Sequence, residues 1–255
     1  MQLNERTVHP RYSGYEVWKA WDKPFTYSAE DDAYFAGETR GIVVAGGRLL
    51  EVGYGSGSFL AWARDKGAEV AGVEIIPSLV EAAARAGIET LPPTLENIKT
   101  TIAPFDTIVA LDVFEHLTLG EIRHYLHACA ALAAERCHLL LRFPNAQSPF
   151  GLAPQNGDAT HVSQLSQGVF EQLIQDTPWR IVRYAPAYRL HGGGLFKRLR
   201  RWAQYAARDL ISAFLNATYN QTIPWDPVVV LVLCRKDCDT AGATLSGANV
   251  SAVKK

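Results

Sequence analysis

Apolar residues in this chain fall into short continuous runs separated by stretches of helical spacing, and that alternation predicts an α/β domain. Runs at 49–52, 69–73, 88–91, 105–112, 138–143, 179–185 and 227–235 read as strands. Between them, positions 58–66 read as a helix stopped by Gly67, and 77–86 as one opened by Pro77 and stopped by Gly87. Longer helical patterns follow at 119–134 and 167–175. Residues 1–40 keep neither period. They scatter Tyr12, Tyr15, Trp18, Trp21, Phe25, Tyr27, Tyr34 and Phe35 among mixed charges, and rings of that size need a groove to cover. The domain plan is therefore a cap over 1–40, one domain over 41–236 and a disordered tail over 237–255, rich in Ala, Ser, Thr and Gly. The cap either packs on the edge of the core or closes over a site.

An insertion at about 190–226 interrupts the strand pattern before the last run. Its hinge, Gly192 to Gly194, leads into a helix over about 195–215 with Leu195, Leu199, Trp202, Ala206, Leu210 and Phe214 on one side and Lys197, Arg198, Arg200, Arg201 and Arg208 on the other. Such a helix packs on its own domain, lies on a membrane surface or lipid-linked substrate, or joins two copies of the chain. The first account is the plainest expectation.

The first strand opens into Gly53-Tyr54-Gly55-Ser56-Gly57-Ser58, and the helical period begins at once. Strand, glycine loop and helix in that order build a nucleotide site, because glycines let the backbone approach a ligand and the helix presents open N–H groups. A bare tight turn is the alternative. Ser58 stands where a dinucleotide fingerprint wants its last glycine, and Glu51 sits inside the strand. Both features disfavour a pyrophosphate and favour a cationic or amino-bearing cofactor. Glu74 ends the second strand about 20 residues beyond Gly53, where a carboxylate meets a ribose, a feature shared by adenosine cofactors of either kind.

Composition narrows the field. With 255 residues, 48% hydrophobic, 20% charged and a net charge of −1, the chain suits one sizeable domain and lacks the basic excess that nucleic acid demands. Cys129, Cys137, Cys234 and Cys238 form no Cys-x-x-Cys pair and read as reduced structural thiols. No run approaches a bilayer span and the first residues carry no apolar signal core, so a cytoplasmic protein is expected, peripheral at the membrane if the basic helix so acts.

Glu51-x-Gly53-x-Gly55-x-Gly57 resembles the first motif of the class I S-adenosylmethionine-dependent methyltransferases, over about 48–183 of the chain. The run Phe105 to Leu117, with Asp112-Val113-Phe114-Glu115-His116-Leu117, is similar to a motif of small-molecule members in ubiquinone pathways. Pro144-Asn145 through Phe150-Gly151, with Gly157-Asp158-Ala159-Thr160-His161, resembles a loop in enzymes of bacterial surface polysaccharides. The resemblance implies a Rossmann-like, doubly wound, seven-stranded and mostly parallel sheet whose last strand runs antiparallel between the fifth and sixth. It also implies S-adenosyl-L-methionine as cofactor, S-adenosyl-L-homocysteine as product, and a cofactor site made of Glu51, Gly53, Tyr54, Gly55, Gly57, Glu74, Ile75, Asp112 and Val113. Thr94 takes the family's acidic position near the adenine, so the contact would come instead from Glu96 or from the backbone at Leu95. Asp112 would face the methionine ammonium.

Methyl transfer to a hydroxyl needs alignment and a base, and histidine titrates near working pH. His161 is the first candidate base, with Asp158 orienting it or holding the acceptor, and His116 is the second. A purely structural role remains the alternative for each. His124 and His127 lie three apart on a helix without a matching ligand, so no metal is expected. The expected partner is a small-molecule acceptor, a sugar, glycan precursor or quinone-like ring, with the oligomeric state open. A non-catalytic binding module and an NAD-dependent reductase are the competing classes. The intact acids disfavour the first, and Ser58 with Glu51 the second.

Overall fold

A computed structural model describes residue 12 and residues 14–95 and 102–236. The expected Glu96 and the tail over 237–255 lie outside the described residues. The strands are β1 (Arg48–Val52), β2 (Glu69–Val73), β3 (Glu89–Leu91), β4 (Phe105–Leu111), β5 (Ala133–Pro144), β6 (Trp179–Pro186) and β7 (Val228–Arg235). They form a seven-stranded sheet in the order β3-β2-β1-β4-β5-β7-β6. The first five pair in parallel, and β7 runs antiparallel to both β5 and β6, as the sequence resemblance implied.

Alternation along the strands splits the core into two layers. Leu50, Val52, Ile108 and Leu139 face one cluster, which α5 (Leu119–Leu132) and α7 (Gln167–Leu173) cover through Ile122, Leu126, Phe170 and Leu173. Leu49, Val109, Leu140 and Val230 face the other, covered by α3 (Ser58–Asp65) and α4 (Pro77–Arg85) through Phe59, Leu60, Trp62, Leu79 and Ala83. Helices on both faces bury the sheet and explain why strands such as Val228–Arg235 read as continuous apolar runs. Chain order reverses between β1 and β4, and a doubly wound sheet opens its ligand crevice at the carboxyl ends of those two strands.

Three boundaries differ from the sequence expectation. Helix α5 stops at Leu132 and β5 begins at Ala133, five residues before the expected His138. Ala133-Ala134-Glu135-Arg136 is compatible with helix, but Ala133 pairs with Phe105, and Arg235 of β7 donates to the Ala130 and Ala133 carbonyls at 3.4 and 3.0 Å, ending the helix there. Sheet pairing overrides local propensity. Helix α7 ends at Leu173 instead of 175. The turn-rich segment after β5 contains a 3-10 turn, Pro149–Gly151, and a short α6, Leu152–Asn156.

The N-terminal segment forms α1 (Tyr15–Trp18) and α2 (Ala29–Glu38), the latter held by a Ser28–Asp31 capping box. Phe35 of α2 packs on Phe59 and Trp62 with ring centroids 5.2 and 5.6 Å apart. The insertion is α8 (Leu195–Tyr219), 25 residues long, and it rests on its own domain, the plainest of the three expectations, but not through its apolar stripe. None of its residues is buried, and the side that meets the domain is the polar one. Arg201 pairs with Glu30 at 3.0 Å, Asp209 with Arg189 at 2.6 Å and Arg208 with Asp226 at 3.6 Å, while Asn216 accepts from Trp225 Nε1 at 2.7 Å. A helix with so many charges and hydrogen-bonding groups on one side can satisfy them against a polar surface, which leaves its apolar stripe facing away.

Candidate functional site

The crevice between β1 and β4 holds a cavity of about 460 Å³, lined by the expected Glu51, Gly53, Tyr54, Gly55, Glu74, Ile75, Asp112, Val113 and His116. Its floor depends on glycine. Gly53, Gly55 and Gly57 all have φ between 50 and 71°, a region that costs an L side chain roughly 1 kcal/mol or more. Space is denied as well: a Cβ on Gly53 would stand 2.6 Å from Val113 Cγ2, and one on Gly57 would stand 2.2 Å from the Phe25 ring. Gly57 therefore does not line the cavity; it lets Phe25 lie on the loop and starts α3.

The N-terminal segment closes this floor from above. Phe25 N–H donates to Ser56 O at 2.7 Å, and a Cβ on Gly55 would meet Trp21 at 2.8 Å. Tyr12, Tyr15, Lys19, Trp21 and Tyr34 line the cavity with the loop. The cap of the sequence reading is thus a wall of the site, contributing rings where a nucleoside or a ring-bearing acceptor would lie.

Three carboxylates meet the cavity in different states. Glu51 is buried, and its Oε2 has no hydrogen-bond partner among the described residues. Burial, reinforced by the charge of Glu74, raises its pKa well above the usual carboxylate value. A buried acceptor without a donor is costly unless a ligand supplies one, and a cation-bearing cofactor would do so. Glu74 accepts from Gly55 N–H at 2.9 Å and from Ile75 and Ile76 N–H at 2.7 and 3.0 Å, so it ties the glycine loop to the end of β2. Burial raises its pKa, partly offset by those donors. Asp112 takes a left-handed φ of 57° just past β4, strain of a kind that gathers at functional sites. Its carboxylate is clamped by both forks of the Arg142 guanidinium, with Nε to Oδ1 at 2.9 Å. Arg142 Nη1 also donates to the Tyr34 hydroxyl at 2.9 Å. A half-buried strand arginine beside an acid offers both charges that an amino-acid zwitterion needs, and nothing in the local sequence pattern marked Arg142.

Beyond Asp112, a 3-10 turn over Phe114–His116 carries the histidine into the cavity wall. Thr160 Oγ1 lies 2.8 Å from His116 Nδ1 and donates its one proton to Asp158 Oδ1 at 2.5 Å. The hydroxyl must then accept from Nδ1–H, so the lone pair of His116 is on Nε2. Asp158 also accepts from Thr160 N–H at 3.0 Å and from Tyr15 at 2.9 Å, and pairs with Lys19 at 3.4 Å. Burial alone would raise the Asp158 pKa, but those hydrogen bonds outweigh it and hold the carboxyl well below its usual range. Burial, helped by neighbouring His161, lowers His116 to about 4.

His161 sits behind this wall instead of in it. Its Nδ1 is 2.9 Å from Gln155 O, and its Nε2 lies 3.9 Å from Glu115 and 3.8 Å from Asp158. The ring is edge-on to His116 at 4.6 Å between centroids. By position, His116, the second candidate, reaches the cavity and is linked through Thr160 to Asp158, while His161, the first, packs at its back. Tyr15 and Lys19 were not singled out by spacing, because they meet Asp158 from over 100 residues away in sequence, and Thr160 was missed because its partner His116 lies 44 residues before it. Leu95, expected to contact the adenine through its backbone, buries its side chain in the core and is not among the residues that line the cavity. One atom each of Glu115, His116 and His161 falls within 4.8 Å of the others, a grouping His124 and His127 do not make.

Comparison with known proteins places these features. A family model described as a methyltransferase domain matches residues 38–184. No curated protein sequence matches the chain. Among solved structures, a SAM-dependent methyltransferase from Archaeoglobus fulgidus superposes with a TM-score of 0.54 at 16% identity, covering 80% of this chain and 89% of its own. Magnesium protoporphyrin IX methyltransferase (ChlM) from Synechocystis PCC 6803 with bound SAH gives 0.53 at 15% identity, over 91% and 100%. The N-methyltransferase NodS from Bradyrhizobium japonicum WM9 in complex with SAH gives 0.54 at 15%, over 89% and 99%. At these identities the likeness is one of fold.

Proposed function

This chain belongs to the methyltransferase-domain family, and we propose that it is an S-adenosylmethionine-dependent O-methyltransferase of a small molecule, with His116 as general base. The observation that carries the cofactor is Glu51 Oε2, a buried carboxylate oxygen with no donor, at the mouth of a loop that only glycines can form. When bound, S-adenosylmethionine supplies an electrophilic methyl group on a positively charged sulfur and departs as S-adenosylhomocysteine. Glu51 and Asp112 would meet the ammonium, Arg142 the carboxylate, and Glu74 the ribose hydroxyls.

The protein's own part is positioning and one proton. Tyr15, Trp21 and Tyr34 wall off water and orient the acceptor, and alignment of this kind supplies most of the acceleration. His116 Nε2 takes the proton of the acceptor hydroxyl as its oxygen bonds to the methyl carbon. The imidazolium so formed is held through Nδ1–H, Thr160 and the Asp158 carboxylate. Such a base contributes about 10²–10⁴-fold. The acceptor is a sugar or glycan precursor, whose hydroxyl is a poor nucleophile without a base. A quinone or lipid-ring hydroxyl is the second reading, favoured by the outward apolar face of α8. The test is a labelled-methyl assay against fractionated cell extract with the product identified by mass spectrometry: a methyl ether on a sugar-containing product supports the first reading and a lipid-soluble aromatic ether the second. Methylation of nitrogen or carbon overturns both.

A further inference from the structure

We propose that α8 seats this protein on an anionic bilayer surface, its apolar stripe immersed at the headgroup boundary and Arg198 and Arg200 among the lipid phosphates. Leu195, Leu199, Trp202, Leu210 and Phe214 are each 62–84% exposed, on the side of the helix turned away from the domain. With Ala206 between Trp202 and Leu210 they recur every three or four residues, so at 3.6 residues per turn they form one continuous stripe. The opposite side is already taken up by Lys197 and Arg201 on Glu30, Asp209 on Arg189, Arg208 on Asp226 and Asn216 on Trp225. Those contacts fix the helix like a rail, with its apolar side held outward.

Charge selects the occupant. Arg198 and Arg200 fall on opposite margins of the stripe and make no ion pair among the described residues. Flanking cations beside an exposed apolar face, with Trp202 among the immersed side chains, match an interfacial helix lying on anionic lipid. A second copy fits worse, because α8 carries five basic residues against the single acid Asp209, and two such stripes face to face would bring like charges together. No helix among the described residues is long and apolar enough to cross a membrane, so the contact is a surface one. The position also has meaning for the site. Tyr205 and Arg208, on the domain-facing side of α8, wall a cavity of about 370 Å³ that shares Tyr34, Asp112 and Arg142 with the cofactor crevice, so a seated helix holds the edge of the site one helix diameter, about 10 Å, from the headgroup layer.

The inference stands apart from the choice of acceptor and is tested on the full chain without substrate. Protein is mixed with vesicles of phosphatidylcholine alone or with about one-third phosphatidylglycerol, and the bound fraction is read by flotation. The expected result is flotation with the anionic vesicles only, weakened by high salt. Trp202→Glu with Leu210→Glu should lower the bound fraction at least tenfold, and Arg198→Glu with Arg200→Glu should do the same while leaving the melting temperature unchanged. All four side chains are solvent-exposed, so the variants should fold. Absence of wild-type flotation with either vesicle overturns the proposal, and so does a concentration-dependent dimer in analytical ultracentrifugation that Trp202→Glu abolishes.

Discussion

Glu51→Gln should make the free protein more stable while weakening its hold on cofactor. The Glu51 carboxylate is 3% exposed, one of its oxygens lacks a donor, and burial together with Glu74 opposes its ionisation. A buried polar group left without a partner costs about 1–3 kcal/mol, more when charged. Removing the charge while keeping the shape should return roughly that much at pH 7, and at roughly 2–4 °C per kcal/mol for a chain of this size the melting temperature should rise by about 2–12 °C. The sign with pH follows from the raised pKa. Below the unfolded value of about 4.3 both states are protonated and the variant gains nothing; as pH rises past it the unfolded state ionises first, and the advantage grows until Glu51 ionises in the fold. Thermal melts of both proteins between pH 4 and 8, with and without S-adenosylmethionine, check both halves. A variant less stable than the parent at pH 7, or one stabilised by cofactor as much as the parent, would refute the reasoning.

Asp158→Asn should show the opposite pH sign, because hydrogen bonds hold its carboxyl below the usual range. Its loss of about 2 kcal/mol at pH 7 should shrink as pH falls below about 4, read by urea titration. The same variant should lower turnover about ten- to hundredfold through misorientation of His116, with cofactor affinity kept; equal turnover would detach Asp158 from the site. His116→Ala should lower turnover by about two orders of magnitude or more and His161→Ala by less, measured by steady-state kinetics on the identified acceptor. Prolonged dialysis against a chelator should leave turnover unchanged. A loss restored by a divalent cation would instead make Glu115, His116 and His161 ligands. Gly53→Ala, with its Cβ driven to 2.6 Å from Val113, should abolish cofactor-induced stabilisation in a thermal shift assay.

Much of this architecture is written locally. Leu49 to Val52, the three glycines and Glu74 are legible because strand, turn and helix each impose a short-range pattern on neighbouring residues. The antiparallel place of β7 was legible only through resemblance, since an apolar run does not state its partner. Ala133 and Ala134 were read as helix, whereas sheet pairing with Phe105 outweighs their helical preference. Helix α8 shows a deeper limit: periodicity names the residues that share a face, but not whether the domain or the surroundings cover it. Arg142 and Thr160 escaped for a related reason. An arginine inside Leu139-Leu140-Leu141-Arg142-Phe143 and a threonine between Asp158 and His161 acquire their roles from Asp112, Tyr34 and His116, which the fold brings in from distant segments.

The central claim is that a sulfonium nucleoside rests on the glycine loop against Glu51. Isothermal titration of the purified chain with S-adenosylmethionine, S-adenosylhomocysteine and NAD tests it most directly. The account predicts saturable one-to-one heats with the first two, weakened as pH falls and Glu51 takes up its proton, and no heat with NAD. Silence with both sulfur nucleosides, or a signal with NAD alone, would contradict it.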